Sequence, residues 1–67
     1  MLEWKLVKQT GRSFAKKDGT YLVVGYYEHS RPRLFFYAAY RGGQEIAYGS
    51  GYGSREQAQA AAEDVVL

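Results

Sequence analysis

Two glycine-containing dipeptides, Asp18-Gly19 and Gly42-Gly43, constrain the fold of this 67-residue chain more than any other feature. Each is flanked by segments rich in β-branched and aromatic residues, and such dipeptides form the type I′ turns that join two antiparallel strands. Pro32 lies between the two hairpins, where it would interrupt a strand because proline donates no backbone hydrogen bond. Two hairpins behind a leading segment of alternating apolar residues, "LEWKLVK", predict an antiparallel meander.

The alternation and the turn signals set approximate strand limits. The segment before the first turn is short, so we expect a sheet of four or five strands. The predicted strands are 2–8, 13–17, 20–29, 34–41 and 44–49.

A helix is predicted after the last strand, in "GSREQAQAAAEDVV". Ser54 precedes Gln57 by three residues, which is the spacing of a capping box at a helix start. Ala58, Ala61, Ala62 and Val65 then recur at the spacing of one helical face. The preceding glycines match neither the dinucleotide-binding pattern nor a P-loop. We therefore predict a single α+β domain over 1–67, with a helix at about 54–66 packed on one face of the sheet.

Several kinds of chemistry are excluded by composition. The chain has no cysteine and one histidine, His29, which removes disulfides, thiolate metal sites and multi-histidine sites. His29 follows the end of an apolar strand segment, where we expect a solvated loop residue and not the base of a hydrolytic triad. Four candidate carboxylates, Glu3, Asp18, Glu28 and Glu45, fall on different turns and strands. We predict no catalytic residue, no metal ligand and no cofactor, and hence a protein that is not an enzyme.

The apolar segments are too short for a membrane span, which needs roughly 18 residues. Charged residues alternate with apolar ones at the N-terminus, which is unlike a signal peptide. The sequence therefore predicts a cytoplasmic protein without a membrane partner.

Charge is distributed unevenly along the chain. Residues 5–41 carry eight basic and two acidic side chains, whereas residues 42–67 carry one basic and four acidic side chains. A basic body with an acidic tail favours a polyanionic partner.

The central strands are apolar or aromatic on both alternating positions, in 21–27 as well as in 34–40. A sheet covered on one face only should alternate between apolar and polar residues. Since one helix can cover one face, the other face should present aromatic rings close to basic loops.

Three covers for that second face remain open. Nucleic acid could bind there, by base stacking on the rings or by insertion of the sheet into a major groove. A second copy could pack sheet on sheet, or the N-terminal segment could fold over the face. We prefer nucleic acid, with a homodimeric protein-interaction module as the alternative. The predicted nucleic-acid-binding residues are Arg12, Lys16, Lys17, Tyr27, Arg31, Arg33 and Tyr37.

From Leu34 onward, the stretch "LFFYAAYRGGQEIAYGSGYGSREQAQAAAEDV" resembles the repeat unit of the YegP-like family of small bacterial proteins. The likeness covers residues 34–66 and rests on Gly43, Ile46, Ala47, Gly51, Tyr52, Ser54 and Ala58. It implies a βββα-type unit without established catalytic residues, and a small bacterial or phage protein. The first half departs from that pattern. The layout is also similar to phage integrase arm-binding domains and plant AP2-type domains, which apply their sheet face to DNA.

Overall fold

The computed structural model describes residues 2–66 and shows five antiparallel strands followed by one helix. Each strand pairs with the next one along the chain, so the sheet order is β1-β2-β3-β4-β5. The predicted α+β meander is confirmed. Within residues 2–66, no helix is long and apolar enough to cross a membrane. The elements are β1 (Lys5–Val7), β2 (Arg12–Lys17), β3 (Thr20–Tyr26), β4 (Phe35–Arg41), β5 (Gln44–Tyr52) and α1 (Arg55–Val66).

Both predicted hairpin turns are present. Asp18 and Gly19 have φ angles of 52° and 81°, and Gly42 and Gly43 have φ angles of 60° and 79°. Positive φ at both central residues is the requirement of a type I′ turn, whose twist matches that of the flanking strands. The two turns therefore set the register of β2 with β3 and of β4 with β5.

The first strand is shorter than the predicted 2–8, because the chain leaves the sheet edge before Lys5. Leu2 and Trp4 pack against the core on the helix side of the sheet. The Trp4 indole Nε1 donates a hydrogen bond of 2.9 Å to Glu63 Oε2 on α1. These N-terminal residues therefore extend the helix-side cover and do not fold over the opposite face.

The third strand ends at Tyr26, earlier than the predicted 20–29. The Tyr27 amide still donates to the Leu34 carbonyl, at 3.0 Å. The Ser30 hydroxyl then donates to the Tyr27 carbonyl and accepts from the Leu34 amide, both at 2.9 Å. Because this one side chain bridges both ends of the loop, residues 28–33 turn back instead of extending β3.

The fifth strand continues to Tyr52, beyond the predicted 44–49. It does so through two irregularities, at which β5 has one more residue than β4. The first extra residue is Ile46, and the second is Gly51, whose φ of 86° is readily adopted only by glycine. Gly49 and Gly51, which lie at or beyond the predicted end of this strand, are therefore inside β5.

The helix begins as the capping box predicts, with one difference. Ser54 Oγ accepts a hydrogen bond of 3.2 Å from the Gln57 amide. The Gln57 side chain accepts one of 3.0 Å from the Gly53 amide, one residue before the usual partner. These bonds satisfy backbone donors at the junction and hold α1 at the end of β5.

The core lies between α1 and one face of the sheet. Ala58 and Ala62 of α1 are fully buried, against a sheet surface centred on Leu22, Val24 and Ala39. Because the helix presents methyl groups here, its backbone can approach the sheet closely. Larger side chains close the margins of this contact.

Ala62→Leu is expected to lower the free energy of unfolding by about 1–3 kcal/mol, because the added atoms overpack a full site. Ala60→Leu makes the same change at an exposed position of the same helix and should have little effect. Urea unfolding measures both. Equal losses in the two variants would contradict the close contact of this helix face with the sheet.

Candidate functional site

The face of the sheet opposite α1 is called here the open face, and the strand register defines it. Three rows of residues that pair across neighbouring strands lie on this face. Tyr27, which follows the end of β3, contacts Phe36 and belongs to the same face. The open face consists of Lys5, Val7, Arg12, Phe14, Lys16, Tyr21, Val23, Gly25, Tyr27, Phe36, Ala38, Tyr40, Glu45, Tyr48 and Ser50.

The rings of the open face are accessible to solvent. Tyr21 and Tyr48 are each 53% exposed, and Phe14, Tyr27 and Tyr40 are between 36% and 40% exposed. Ala38, in the middle, is only 4% exposed although α1 lies on the other side of the sheet. The surrounding side chains therefore shield the centre of the open face.

Tyr27, Phe36 and Tyr48 form an aromatic cluster at one end of the open face. The Phe36 ring centroid lies 5.2 Å from that of Tyr27 and 6.1 Å from that of Tyr48, nearly parallel to the latter. The Tyr27 and Tyr48 hydroxyls share a hydrogen bond. This hydrogen bond raises the pKa of Tyr48 above its usual value.

The position of Phe36 depends on Gly25, its partner on β3. A Cβ atom placed on Gly25 would lie 2.8 Å from Phe36 Cζ and 3.4 Å from Arg12 Cγ. The ring therefore lies across the glycine, next to the aliphatic part of Arg12. The absence of a side chain at Gly25 lets the ring lie low on the sheet.

The other three rings of the open face, called here the second ring group, are Phe14 on β2, Tyr21 on β3 and Tyr40, which pairs with Tyr21 from β4. The Lys16 ammonium lies 5.1 Å from the Tyr21 ring centroid, within the range of a cation–π contact. An open cavity of about 320 Å³ lies between this group and the start of β1. Its lining residues are Glu3, Lys5, Phe14, Ala15, Lys16 and Tyr21.

Charge differs between the two sides of the sheet. The open face has three basic residues on its β1 and β2 side, namely Lys5, Arg12 and Lys16. Its single acidic residue in the set defined above is Glu45, on β5 at the opposite edge. On the other side, α1 carries Glu56, Glu63 and Asp64 against Arg55. The open face therefore carries an excess of basic side chains next to its rings, whereas on the helix side Lys17, Arg33 and Arg41 offset the acidic residues of α1.

Three predicted site residues, Arg12, Lys16 and Tyr27, are brought together on the open face. Arg31 is exposed in the loop between β3 and β4. It lies four residues after Tyr27, so it can stand only at the margin of this surface.

The other three predicted residues, Lys17, Arg33 and Tyr37, lie elsewhere. Tyr37 packs against the core, with its ring centroid 6.1 Å from that of Tyr52, because its position alternates with that of Phe36. Placing Tyr37 on an uncovered surface is therefore a wrong expectation.

Lys17 and Arg33 are directed to the helix side. Lys17 pairs with the buried Thr20, at a position that shares the face of Ala15. The Arg33 guanidinium stacks on Tyr26 at 4.4 Å from the ring centroid, and Tyr26 contacts Phe35, which packs against the core.

Six large aromatic or basic side chains of the open face were not among the predicted binding residues. Those missed as binding residues are Lys5, Phe14, Tyr21, Phe36, Tyr40 and Tyr48. A usable signal was present in β2, where the large or charged Arg12, Phe14 and Lys16 alternate with the small Ser13 and Ala15. A close-packed alanine helix needs small side chains on the strand face that it covers, so the face with Ser13 and Ala15 is the one under the helix. The hairpin register pairs Tyr21 with Lys16, which places Tyr21 on the opposite, open face.

Within residues 2–66, no group of three or more His, Cys, Asp or Glu side chains could hold a metal ion. The chain matches no protein-family model, no curated protein and no solved structure in comparisons with known proteins. The resemblance to the YegP-like family and the architectural likeness to integrase arm-binding domains therefore stay predictions. The function is argued from the geometry of the open face.

Gly25→Ala is expected to displace Phe36 and lower the free energy of unfolding by about 1–3 kcal/mol, because the new methyl group occupies the space of the ring. Gly53→Ala is the control, since a Cβ atom there meets only Gln57 Oε1, at 3.5 Å. Urea unfolding gives the stability of each variant, and the ring-proton shifts of Phe36 report its position. An unmoved Phe36 in Gly25→Ala would contradict the described contact.

Proposed function

We propose that this chain is a non-enzymatic module that binds nucleic acid through the open face of its sheet. One observation carries the proposal: exposed aromatic rings and long basic side chains occupy the same face, while the acidic helix lies on the other. A contiguous exposed aromatic surface of this kind commonly marks an interaction site.

The rings supply surface for bases. Tyr21 and Tyr48 are half exposed, Tyr21 on the central strand β3 and Tyr48 on the edge strand β5. Stacking of a base on an aromatic side chain is worth about 1–3 kcal/mol, and it tolerates any base because every base has a π face. Tyrosine suits a surface that is wet when free and covered when bound, since its hydroxyl remains hydrated.

The basic side chains supply the attraction for phosphates. Arg12 and Lys16 lie on the same face of β2, and Lys5 pairs with Phe14 at the adjoining edge. Because these three basic side chains lie on the same face of the sheet, a phosphate backbone can contact them while its bases contact the rings. The acidic side chains of α1 lie on the other side of the sheet and repel a phosphate backbone near the helix.

Adjacent lysines provide a matched test of this proposal. Lys16→Ala removes a charge from the open face, whereas Lys17→Ala removes an identical charge from the helix side. We expect Lys16→Ala to weaken binding several-fold and to reduce the salt slope of log K by roughly 0.7–0.9, the value of one phosphate contact. Lys17→Ala should change both quantities much less.

Fluorescence anisotropy of a labelled oligonucleotide, titrated at several salt concentrations from about 50 mM upward, measures both. Absence of binding by the unmodified chain at the lowest salt would refute the proposal. Equal effects of the two substitutions would show that the open face is not the binding surface.

A homodimeric protein-interaction module is the second candidate. The middle row of the open face carries Phe14, Val23, Ala38 and Tyr48, which could pack against the same row of a second copy. A two-fold axis parallel to the strands would also bring Lys16 of one copy towards Glu45 of the other. Light scattering at micromolar concentration separates the candidates, since a stable sheet-on-sheet dimer has twice the chain mass of 7.6 kDa.

The nucleic-acid proposal agrees with the cytoplasmic location and the bacterial or phage origin expected from the sequence. Both of these stay predictions.

A further inference from the structure

We infer that the open face takes single-stranded nucleic acid in preference to a duplex, an inference that rests on the proposed function. Three features favour a single strand: the apolar centre of the face, the cations on β2, and rings whose flat faces only unpaired bases can cover.

The centre of the open face is apolar, which does not suit groove reading. Base edges in a major groove are read by side chains such as Arg, Lys, Asn and Gln. The middle of the face instead holds Val23 and Ala38, between the rings of Phe14 and Tyr48. The face as defined above has neither asparagine nor glutamine, and its three basic residues lie to one side.

The sheet is also wide for a groove. Five strands at about 4.8 Å spacing extend over roughly 19 Å, whereas the major groove of B-DNA is about 12 Å wide. In a duplex, the base faces are already stacked on each other, so rings on a broad surface would meet sugars and phosphates. Only unpaired bases can offer their faces to Tyr21 and Tyr48.

Each ring group has a cation beside it on β2. Lys16 stands over Tyr21 in the second ring group, and the stem of Arg12 lies next to Gly25, across which Phe36 of the aromatic cluster lies. The two cations are four residues apart on one strand, a separation of roughly 13 Å at about 3.3 Å per residue. A phosphate backbone that follows β2 can therefore meet both cations, with its bases directed across β3 towards β5.

The cavity beside β1 fits this path. Phe14 and Tyr21 form its aromatic wall, and Lys5 and Lys16 line it as well. A nucleotide whose base stacks on that wall would share the cavity with two ammonium groups and one carboxylate, that of Glu3. The volume of about 320 Å³ is at the lower end of small-molecule sites, which suits one nucleotide of a strand.

The test compares one labelled single strand of mixed sequence with the duplex that it forms with its complement, at the same salt concentration. We expect the single strand to bind at least tenfold more tightly. Tyr21→Ala and Tyr48→Ala should each weaken single-strand binding roughly 5- to 150-fold, which corresponds to about 1–3 kcal/mol per stacked base. Tyr21→Phe and Tyr48→Phe keep the ring and should retain the affinity.

The outcomes separate the two proposals. Duplex binding that equals or exceeds single-strand binding would overturn this inference and leave nucleic-acid binding by the open face in place. A single-strand preference that neither alanine variant reduces would overturn the stacking path. If neither form binds, the proposed function fails and the inference fails with it. Circular dichroism of each variant is the control that checks whether the fold is kept when a half-exposed tyrosine is replaced.

Discussion

The structure depends on one packing constraint: a single alanine-faced helix can bury only one side of a five-stranded sheet. Ala58 and Ala62 bring α1 close to Leu22 and Val24, and this contact forms the core of the domain. A helix of 12 residues is about 18 Å long at 1.5 Å per residue, comparable with the width of the sheet that it crosses. No further helix remains in residues 2–66 for the opposite side, so the aromatic residues of the alternate positions stay exposed.

The N-terminal segment adds to this asymmetry. Trp4 could have covered the open face, which was one of the alternatives that the sequence left open. It packs instead beside α1, held by its hydrogen bond to Glu63. The same bond gives a partner to a carboxylate near the C-terminal end of the helix, where the helix dipole disfavours negative charge. The N-terminal segment therefore leaves the aromatic face of the sheet, with Arg12 and Lys16, accessible.

Local signals were sufficient to predict much of the fold. Asp18-Gly19 and Gly42-Gly43 adopt a turn conformation that few other dipeptides adopt, and Ser54 with Gln57 caps a helix by short-range bonds. Such features do not depend on the rest of the chain.

The face of the sheet on which each strand residue lies does depend on the rest of the chain. Tyr37 and Phe36 are alike as residues, and only the position of α1 decides which of them is covered. The extra residues Ile46 and Gly51 shift the alternation of β5, which periodicity alone does not reveal. For this reason the fold class was predictable, whereas only Arg12, Lys16 and Tyr27 of the predicted site lie on the open face.

The most direct test of this account measures the solvent accessibility of individual rings in the free chain. A soluble paramagnetic probe broadens the NMR signals of ring protons in proportion to their exposure, and the experiment can be repeated over a range of protein concentrations. The account predicts strong broadening for Tyr21 and Tyr48 and weak broadening for Tyr37, independent of concentration. Protection of Tyr21 and Tyr48 equal to that of Tyr37 in the monomer would show that the open face is already covered, and would contradict the account.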